Sequence, residues 1–370
     1  MQTISLCMIV KNEENTIGNC LETIYDIVDE IIIVDTGSTD STKDICLKYT
    51  NKIYDYDWDY DFSKARNYSF SFAKCDYIMW LDADDILYEN DRVKLRELKY
   101  RMNGDIDIYS LIYNYRHNQE GKCTYSFPRE RIIKNTKNIY WSCIVHELLN
   151  FDNSNKILET DIVITHTNNH DNGKSYIEFF EKKIEMGHKL NTREKFFFGG
   201  ELFIFNYIDK AIINLESFVS STDYYNYYEL CRAYNYLGHC YKSKNNYIKA
   251  IHNYLCQISY DEPNMTTYFD IAECYKELKE YRKALFYYNS IVSLDFRKEK
   301  LINNSEFDNE NYSDYTKSLI INSLLSMCVI YYHLGDIENS IICNNKILLL
   351  DSKNPSALYN YNFFNSNITN

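Results

Sequence analysis

The stretch from Tyr77 to Asp85, with the sequence YIMWLDADD, indicates how the first half of the chain folds. Its first five residues are apolar and form a run of the length expected for one buried strand. The run then ends in three carboxylates, Asp82, Asp84 and Asp85. Because buried parallel strands end at a common sheet edge where ligands bind, these acids predict a binding site there. Two oxygen donors spaced as Asp-x-Asp lie on one side of an extended backbone and suit Mg²⁺ or Mn²⁺.

An isolated Asp-x-Asp is more simply explained as a solvated acidic turn, so the preceding segments decide its meaning. Strand-like patterns at 4–10, 30–35, 53–56 and 77–81 alternate with helical patterns at 14–25, 41–49 and 62–73. This alternation predicts an α/β domain with a doubly wound, mostly parallel sheet. The ends of three strands then meet at one edge, which brings together 11–14, 35–40 and 82–85.

Composition narrows the class of protein. A chain of 370 residues predicts two domains. Its 53 acidic and 40 basic residues give a net charge of −13, which argues against nucleic acid as a partner. Twelve scattered cysteines without a C-x-x-C pair are expected to be reduced and buried in a cytoplasmic protein. The apolar N-terminus lacks a basic region and predicts a strand rather than a signal peptide.

Four segments in order carry a resemblance to a known family. They are CMIVKNEE at 7–14, IVDTGSTD at 33–40, DFSKARN at 61–67 and WLDADD at 80–85. Together they resemble the family 2 glycosyltransferases, which have the GT-A fold, closely over the first quarter of the chain and more loosely over the first half. The resemblance implies a GT-A domain at 1–170 that transfers a sugar, with inversion, from a nucleotide-diphosphate sugar to a hydroxyl or thiol. A UDP-sugar is the favoured donor, and Mn²⁺ or Mg²⁺ is the implied cofactor.

The same resemblance implies which residues bind the donor. Asp35 is expected to hydrogen-bond the nucleotide base and Arg66 to pair with the diphosphate. The full donor-binding set is Val10, Asn12, Glu14, Asp35, Thr36, Asp40, Arg66, Asp82 and Ala83. Alternatives stay open for several of them. Asp35 also fits a helix-capping turn, Asn12 and Glu14 fit the start of the first helix, and Arg66 fits a surface ion pair with Asp59 or Asp61.

Metal ligands and a general base are expected in the same domain. The predicted ligands are Asp82, Asp84, His146 and His166. Glu147 is the predicted base, because it follows the apolar pair Ile144-Val145 and a partly apolar setting suits a base working near neutral pH. Alternatively, His146 is the base or a packed histidine, and Glu147 is an ion-pair partner of Arg129 or Arg131.

Helical patterns replace the alternation after Lys174, and they repeat. Tyr241, Ala250 and Tyr254 recur as Tyr275, Ala284 and Tyr288, each 34 positions later. Further copies contain Leu202 and Tyr331, the latter after an insertion placed in 297–314. This spacing resembles tetratricopeptide repeats, and it predicts an all-α solenoid at 195–370 after a helical connector at 171–194.

Two kinds of function follow. In the first, the repeats hold a protein or peptide acceptor for the transferase domain, or form a homodimer, an arrangement similar to bacterial transferases that glycosylate flagellin or peptide cysteines. In the second, the chain is an interaction protein whose nucleotide-sugar domain is vestigial. The complete set of acids at the strand ends favours the first.

Overall fold

The computed structural model describes residues 2–118, 120–167, 176–222, 226–260, 264–293 and 311–368. The chain separates into two compact units, Met1–Phe197 and Phe198–Asn370. The first contains a large sheet with helices, and the described part of the second is helical. The predicted fold class is therefore confirmed. Most of the predicted insertion, 297–310, lies outside the described residues.

The first unit is organised around one eight-stranded sheet. Its strands run in the order β3-β2-β1-β4-β7-β6-β10-β5, and β8 and β9 form a separate pair. The strands are β1 Ile4–Val10, β2 Glu30–Asp35, β3 Ile53–Asp55, β4 Tyr77–Trp80, β5 Asp85–Ile86, β6 Ile108–His117, β7 Cys123–Lys134, β8 Tyr140–Ser142, β9 Leu148–Asn150 and β10 Ile157–His166. The pairs β1–β2, β1–β4, β2–β3 and β6–β10 are parallel, whereas β7 is antiparallel to both β4 and β6.

Helices cover this sheet and continue past it. They are α1 Ile17–Glu22, α2 Thr42–Cys46, α3 Phe62–Ser71, α4 Glu89–Arg101, α5 Ile177–Glu185 and α6 Thr192–Ile204. The central strands are apolar on both faces, as expected for strands covered on both sides: Leu6 and Met79 on one face and Ile32 on the other are fully buried. The first unit includes α5, which lies in the segment predicted as a connector.

Two features of the sheet position the candidate site. In the parallel register, Val10 lies opposite Asp35, so the loops after β1 and β2 start side by side. In β7, Glu130 pairs with Ser110 and Ile132 pairs with Tyr109, which leaves Arg131 as the extra residue of a β-bulge. Bulges of this kind change the direction of side chains and are common beside active sites.

The second unit is a series of helical hairpins. Its helices are α7 Ile208–Val219, α8 Tyr227–Ser243, α9 Tyr247–Tyr260, α10 Met265–Glu277, α11 Tyr281–Ser293, α12 Asn311–His333, α13 Ile337–Leu350 and α14 Pro355–Ile368. The small residues Ala250 and Ala284, at equivalent repeat positions, are fully buried. Among the described helices, none combines the length and the apolar character that a membrane span requires.

Candidate active site

Asp35, the last residue of β2, carries an unpaired buried oxygen. Its carboxylate is 1% exposed, and Oδ2 accepts the backbone N–H groups of Gly37 and Ser38 at 3.2 and 3.0 Å. Gly37 has a φ of 100°, so the tight turn beneath the carboxylate requires glycine. Lys43 Nζ lies 3.4 Å from Oδ2, whereas Oδ1 has no hydrogen-bond partner among the described residues. A buried acceptor without a partner costs about 1–3 kcal/mol, so Oδ1 marks a position for a ligand donor.

Side chains hold the loops after β1 and β2 together. Asn12 Oδ1 accepts the backbone N–H of Thr39 at 2.8 Å. The Glu14 carboxylate accepts that of Ser41 at 3.1 Å, and the Asp40 carboxylate accepts that of Glu14 at 3.2 Å. These three predicted donor-binding residues therefore lie together, and their observed contacts shape the loops.

Two further predicted donor-binding residues, Thr36 and Ala83, lie close to strand ends. Thr36 donates its backbone N–H and its hydroxyl to the Val10 carbonyl at 2.9 and 3.1 Å. Ala83 is 5% exposed and lies in the sequence between the acids at 82 and 84. The hydrogen bonds from Thr36 join the ends of β1 and β2 next to Asp35.

A second group of polar side chains lies where β5 and β10 pair. One potential ligand atom from each of Asp84, Asp85 and His166 falls within 4.8 Å of the others. His166 Nδ1 is 3.3 Å from a carboxylate oxygen of each acid and 3.0 Å from the Tyr113 hydroxyl. Burial acts against the charged imidazole, but hydrogen bonds to the two carboxylates raise the pKa of His166 to about 10.

Asp85 is fully occupied by protein partners. It is fully buried, and Oδ2 accepts from Arg131 Nη1 at 3.0 Å and from the Asp82 backbone at 3.1 Å. Oδ1 accepts the Tyr113 hydroxyl at 2.9 Å. Asp85 therefore orients the His166 ring, while Asp84, with 16% side-chain exposure, is the more accessible carboxylate.

The donor set fits a divalent cation. Asp84 contributes carboxylate oxygens, and His166 contributes an imidazole nitrogen once a bound cation displaces its proton. This combination is compatible with Mn²⁺ and less suited to Mg²⁺, which prefers oxygen ligands alone. A carboxylate that fixes the ring of a ligating histidine, as Asp85 does here, is a usual feature of metal sites.

Asp82 lies in a different set of contacts. Its Oδ1 accepts from Arg66 Nη2 at 2.8 Å, and Arg66 Nε donates to Glu147 Oε1 at 2.7 Å. Burial opposes both charges. The paired carboxylates nevertheless raise the pKa of Arg66, and Arg66 lowers the pKa of Asp82. The structure thus joins three predicted site residues, Arg66, Asp82 and Glu147, in one ion-pair chain.

Two details differ from expectation. Arg66 is buried and does not pair with Asp59 or Asp61, because Lys183 Nζ contacts those carboxylates at 3.1 and 3.2 Å. Glu147 has a charged neighbour rather than an apolar setting, since the buried Arg66 lies beside it. A run such as Ile144-Val145 predicts burial but does not reveal which cation the fold brings from another helix.

His146 lies outside the group formed by Asp84, Asp85 and His166. Its ring stacks on Phe197 with centroids 4.4 Å apart, and its carbonyl accepts from Arg193 at 2.8 Å. Its φ of 52° is in the left-handed region. Among the described residues, the structure therefore brings His166, but not His146, to the acidic strand end.

Two family models match parts of the chain. Residues 5–148 match the model of Glycosyl transferase family 2, and residues 266–297 match the Tetratricopeptide repeat model. The first unit carries a family 2 glycosyl transferase domain. The matched range contains the donor-side residues, Asp84 and Glu147, whereas His166 lies beyond it.

Two curated relatives share part of the chain. A TPR repeat-containing protein of Synechococcus elongatus is 34% identical over 149 residues, which is 40% of this chain and 36% of the relative. The SPbeta prophage-derived glycosyltransferase SunS of Bacillus subtilis is 26% identical over 234 residues, 60% of this chain and 55% of the relative. The chain thus matches about a third to a half of the length of these proteins.

Two solved structures are similar to parts of the chain. Glucosyl-3-phosphoglycerate synthase from Mycobacterium tuberculosis, in complex with Mn²⁺ and UDP-glucose, is 22% identical over 30% of this chain and 44% of its own, with a TM-score of 0.27. MamA is 18% identical over 48% of this chain and 88% of its own, with a TM-score of 0.35.

Proposed function

We propose that this chain is a metal-dependent, inverting glycosyltransferase that uses a nucleotide-diphosphate sugar. The observation that carries the proposal is the arrangement at one sheet edge. An unpaired carboxylate oxygen of Asp35 lies at the end of β2, Asp84 follows β4, and His166 is the last residue of β10. The family 2 domain match and the similarity to a glycosyltransferase support the same chemistry.

Asp35 would recognise the base. Oδ1 is a buried acceptor awaiting a donor, and the N3–H of uracil supplies one. Cytosine has an acceptor at N3 and would face the carboxylate unfavourably. This contrast favours a UDP-sugar as the donor. The loops tied by Asn12, Glu14 and Asp40 would hold the nucleotide against the strand ends.

Asp84 and His166 would hold the divalent cation, with Mn²⁺ favoured by the mixed oxygen and nitrogen donors. When bound, such a cation neutralises negative charge that develops on a leaving diphosphate. Asp85 keeps the imidazole in place through the 3.3 Å contact with Nδ1. Asp82, held by Arg66, lies at the same strand end as a further polar group for the donor.

Glu147 would act as the general base. Arg66 occupies Oε1, whereas Oε2 makes no hydrogen bond with any described residue. Oε2 is thus available to take the proton from an acceptor hydroxyl or thiol. His146, with its exposed ring next to Glu147 in the chain, is the alternative base.

The helical repeats would hold a protein or peptide acceptor or form a homodimer. Tetratricopeptide units stack into extended surfaces suited to such binding. A shortened protein, 1–204, keeps α6 whole. If it retains donor binding, it should transfer sugar to a macromolecular acceptor far more slowly than the full chain does. Equal transfer rates would exclude the acceptor-holding role.

Calorimetry with UDP-sugars, with and without Mn²⁺, tests the proposal. We expect Mn²⁺-dependent binding and slow release of UDP from at least one UDP-sugar. The competing proposal, a repeat-based interaction protein with a vestigial transferase domain, requires that no nucleotide-sugar binds. Absence of binding across a panel of donors would overturn the enzymatic proposal and favour the second.

A further inference from the structure

Three guanidinium groups surround the ring of Trp80. The distances from the guanidinium carbon to the ring centroid are 3.8 Å for Arg131, 4.8 Å for Arg66 and 5.2 Å for Arg129. The Trp80 ring is itself fixed, because its Nε1 donates to the Glu130 carbonyl at 2.7 Å. Cation–π contacts hold arginines in place but do not neutralise them.

Carboxylates contact only two of these three guanidinium groups. Arg66 is shared by Asp82 and Glu147 at 2.8 and 2.7 Å, and Arg131 binds Asp85 at 3.0 Å. Arg129 is half-buried, yet its side chain forms no ion pair and no hydrogen bond with any described residue. Partial burial of a cation without a direct partner is costly, and charged groups in such settings cluster at functional sites.

Burial and the nearby charge of Arg131 lower the pKa of Arg129. The positive charge of Arg66 also repels Arg129. The carboxylates of Asp82 and Glu147 are close enough to attract Arg129 but do not contact it. An incoming anion would give Arg129 the direct partner that it lacks.

The sheet places Arg129 next to the acidic strand end. Strand β7 runs antiparallel to β4, with Ile132 opposite Met79. Arg129, three residues earlier in β7, therefore lies beside the segment after β4 that contains Asp82. The order β2-β1-β4-β7 puts Arg129 on the far side of this segment from Asp35, the proposed base-binding residue.

We propose that Arg129 binds an oxyanion of the reacting molecules, either a phosphate of the leaving nucleotide diphosphate or an anionic group of the acceptor. The inference rests on the proposed function for the identity of the ligand. Its chemistry follows from the guanidinium, whose parallel N–H donors match the oxygens of phosphate and carboxylate groups. Arg66, which resemblance assigned to the diphosphate, already donates Nε and Nη2 to protein carboxylates, whereas no described residue accepts a hydrogen bond from Arg129.

Calorimetry on the full chain separates the two sources. UDP, UMP and uridine are titrated, with Mn²⁺, into the wild type, Arg129→Gln, Arg129→Lys and the control Arg101→Gln. Arg101 is a well-exposed arginine on α4, paired with Glu97 one helical turn away. Inorganic phosphate is then titrated into each protein saturated with UDP and Mn²⁺. Thermal unfolding of each variant verifies that it is folded.

If Arg129 binds the leaving diphosphate, Arg129→Gln weakens UDP binding about 10- to 100-fold and leaves uridine binding unchanged. Arg129→Lys keeps part of the UDP affinity. If it binds the acceptor anion, UDP affinity stays the same, and phosphate binds the UDP-saturated wild type but not Arg129→Gln.

The inference is overturned if folded Arg129→Gln binds both UDP and phosphate as the wild type does, or if UDP affinity is unchanged and the wild type binds no phosphate. Failure of the proposed function looks different, because the wild type then binds no UDP at all. In that case phosphate is titrated into the nucleotide-free proteins, and binding that does not depend on Arg129 overturns the inference independently.

Discussion

The two units of this chain treat buried polar groups differently. Among the described residues, seven buried side-chain nitrogen or oxygen atoms have no hydrogen-bond partner, and six of them lie in the first unit. They include Asp35 Oδ1 and two nitrogens of Arg131, all at the candidate site. In the second unit only Asn344 Oδ1 is in this state among the described residues. Half of the unpaired buried polar atoms of the first unit therefore lie where a ligand is proposed.

The second unit instead satisfies its polar groups internally. Lys242 contacts Asp270 at 2.7 Å, and Glu273 accepts hydrogen bonds from the hydroxyls of Tyr288 and Ser326. Its packing depends on small residues at repeating positions, such as Gly238 and Ala250. We therefore expect substitutions at the candidate site of the first unit to change ligand binding and chemistry. Substitutions in the second unit should change the free energy of unfolding.

Loss of the proposed cation site should have the largest effect. Asp84→Ala removes the accessible carboxylate next to His166. We expect UDP release from a UDP-sugar to fall on the order of 10⁴-fold, because charge on the leaving diphosphate is no longer neutralised. EDTA should inactivate the wild type equally.

The direct measurement is Mn²⁺ affinity of the protein by calorimetry, which should also fall for Asp84→Ala. Asp161→Ala is the matched control, since the Asp161 side chain is 81% exposed and its carboxylate pairs with Lys94 and with no other described residue. Full activity in EDTA, or Mn²⁺ binding by Asp84→Ala at wild-type strength, would remove Asp84 from the site and weaken the contrast between the units.

Glu147→Gln should reduce transfer by roughly 10²–10⁴-fold, the usual contribution of a general base. Glutamine still accepts a hydrogen bond from Arg66 Nε but takes no proton from the acceptor. Affinity for the nucleotide-sugar should therefore stay within a few-fold of the wild type. Transfer rates under saturating donor, combined with donor titrations, test both halves of this expectation.

A large loss of donor affinity in Glu147→Gln would instead show that Glu147 acts by holding Arg66 and Asp82. Unchanged transfer would remove Glu147 from the chemistry altogether and make His146 the next residue to test.

Only part of the candidate site could be predicted from the sequence. The strand ends and the acids after them could be predicted, because apolar runs followed by Asp35 or Asp82 report local structure directly. The partners of the acids after β4 could not, since Arg66 reaches Asp82 and Arg131 reaches Asp85 from other elements of the fold. The β-bulge at Arg131 leaves no clear pattern in the sequence. For that reason the pairing of Arg131 with Asp85 could not be predicted either.

For the repeats, the fold could be predicted from the sequence, whereas the role of the surfaces could not. The 34-residue period predicts the helical hairpins, because each repeat packs mainly on its neighbours. The role of their surfaces stays a prediction, because the repeat pattern specifies packing and says little about what the exposed faces bind.

Asp35→Asn should weaken UDP binding about 10- to 100-fold, the value of a hydrogen bond to a charged acceptor. The amide keeps one oxygen for the turn at Gly37 and Ser38, but its NH₂ group then faces the N3–H of uracil. The same NH₂ group suits the N3 acceptor of cytosine, so preference should shift toward CDP. Competition between UDP and CDP, measured for wild type and variant, decides the matter. An equal loss for both nucleotides would mean that Asp35 only shapes the turn.

The smallest effect on chemistry is expected in the repeats, from Gly238→Ala on α8. A Cβ at this position would lie 2.4 Å from Cε1 of Tyr254, closer than any relaxed contact. Tyr254 is fully buried, and its hydroxyl is 3.0 Å from His239 Nδ1, so the ring has little room to move. We therefore expect the free energy of unfolding of the second unit to drop by about 1–3 kcal/mol, as for other overpacked cores.

UDP affinity of Gly238→Ala should remain within about twofold of the wild type, because Asp35 and Asp84 belong to the first unit. Thermal unfolding followed alongside UDP titration separates the two effects. Asn289→Ala on α11 is the control, since Asn289 is exposed and its truncation creates no clash. If Gly238→Ala lost UDP affinity while its stability stayed unchanged, the division into a ligand-binding unit and a packing unit would be wrong, because a packing position in a repeat would then be controlling the nucleotide site.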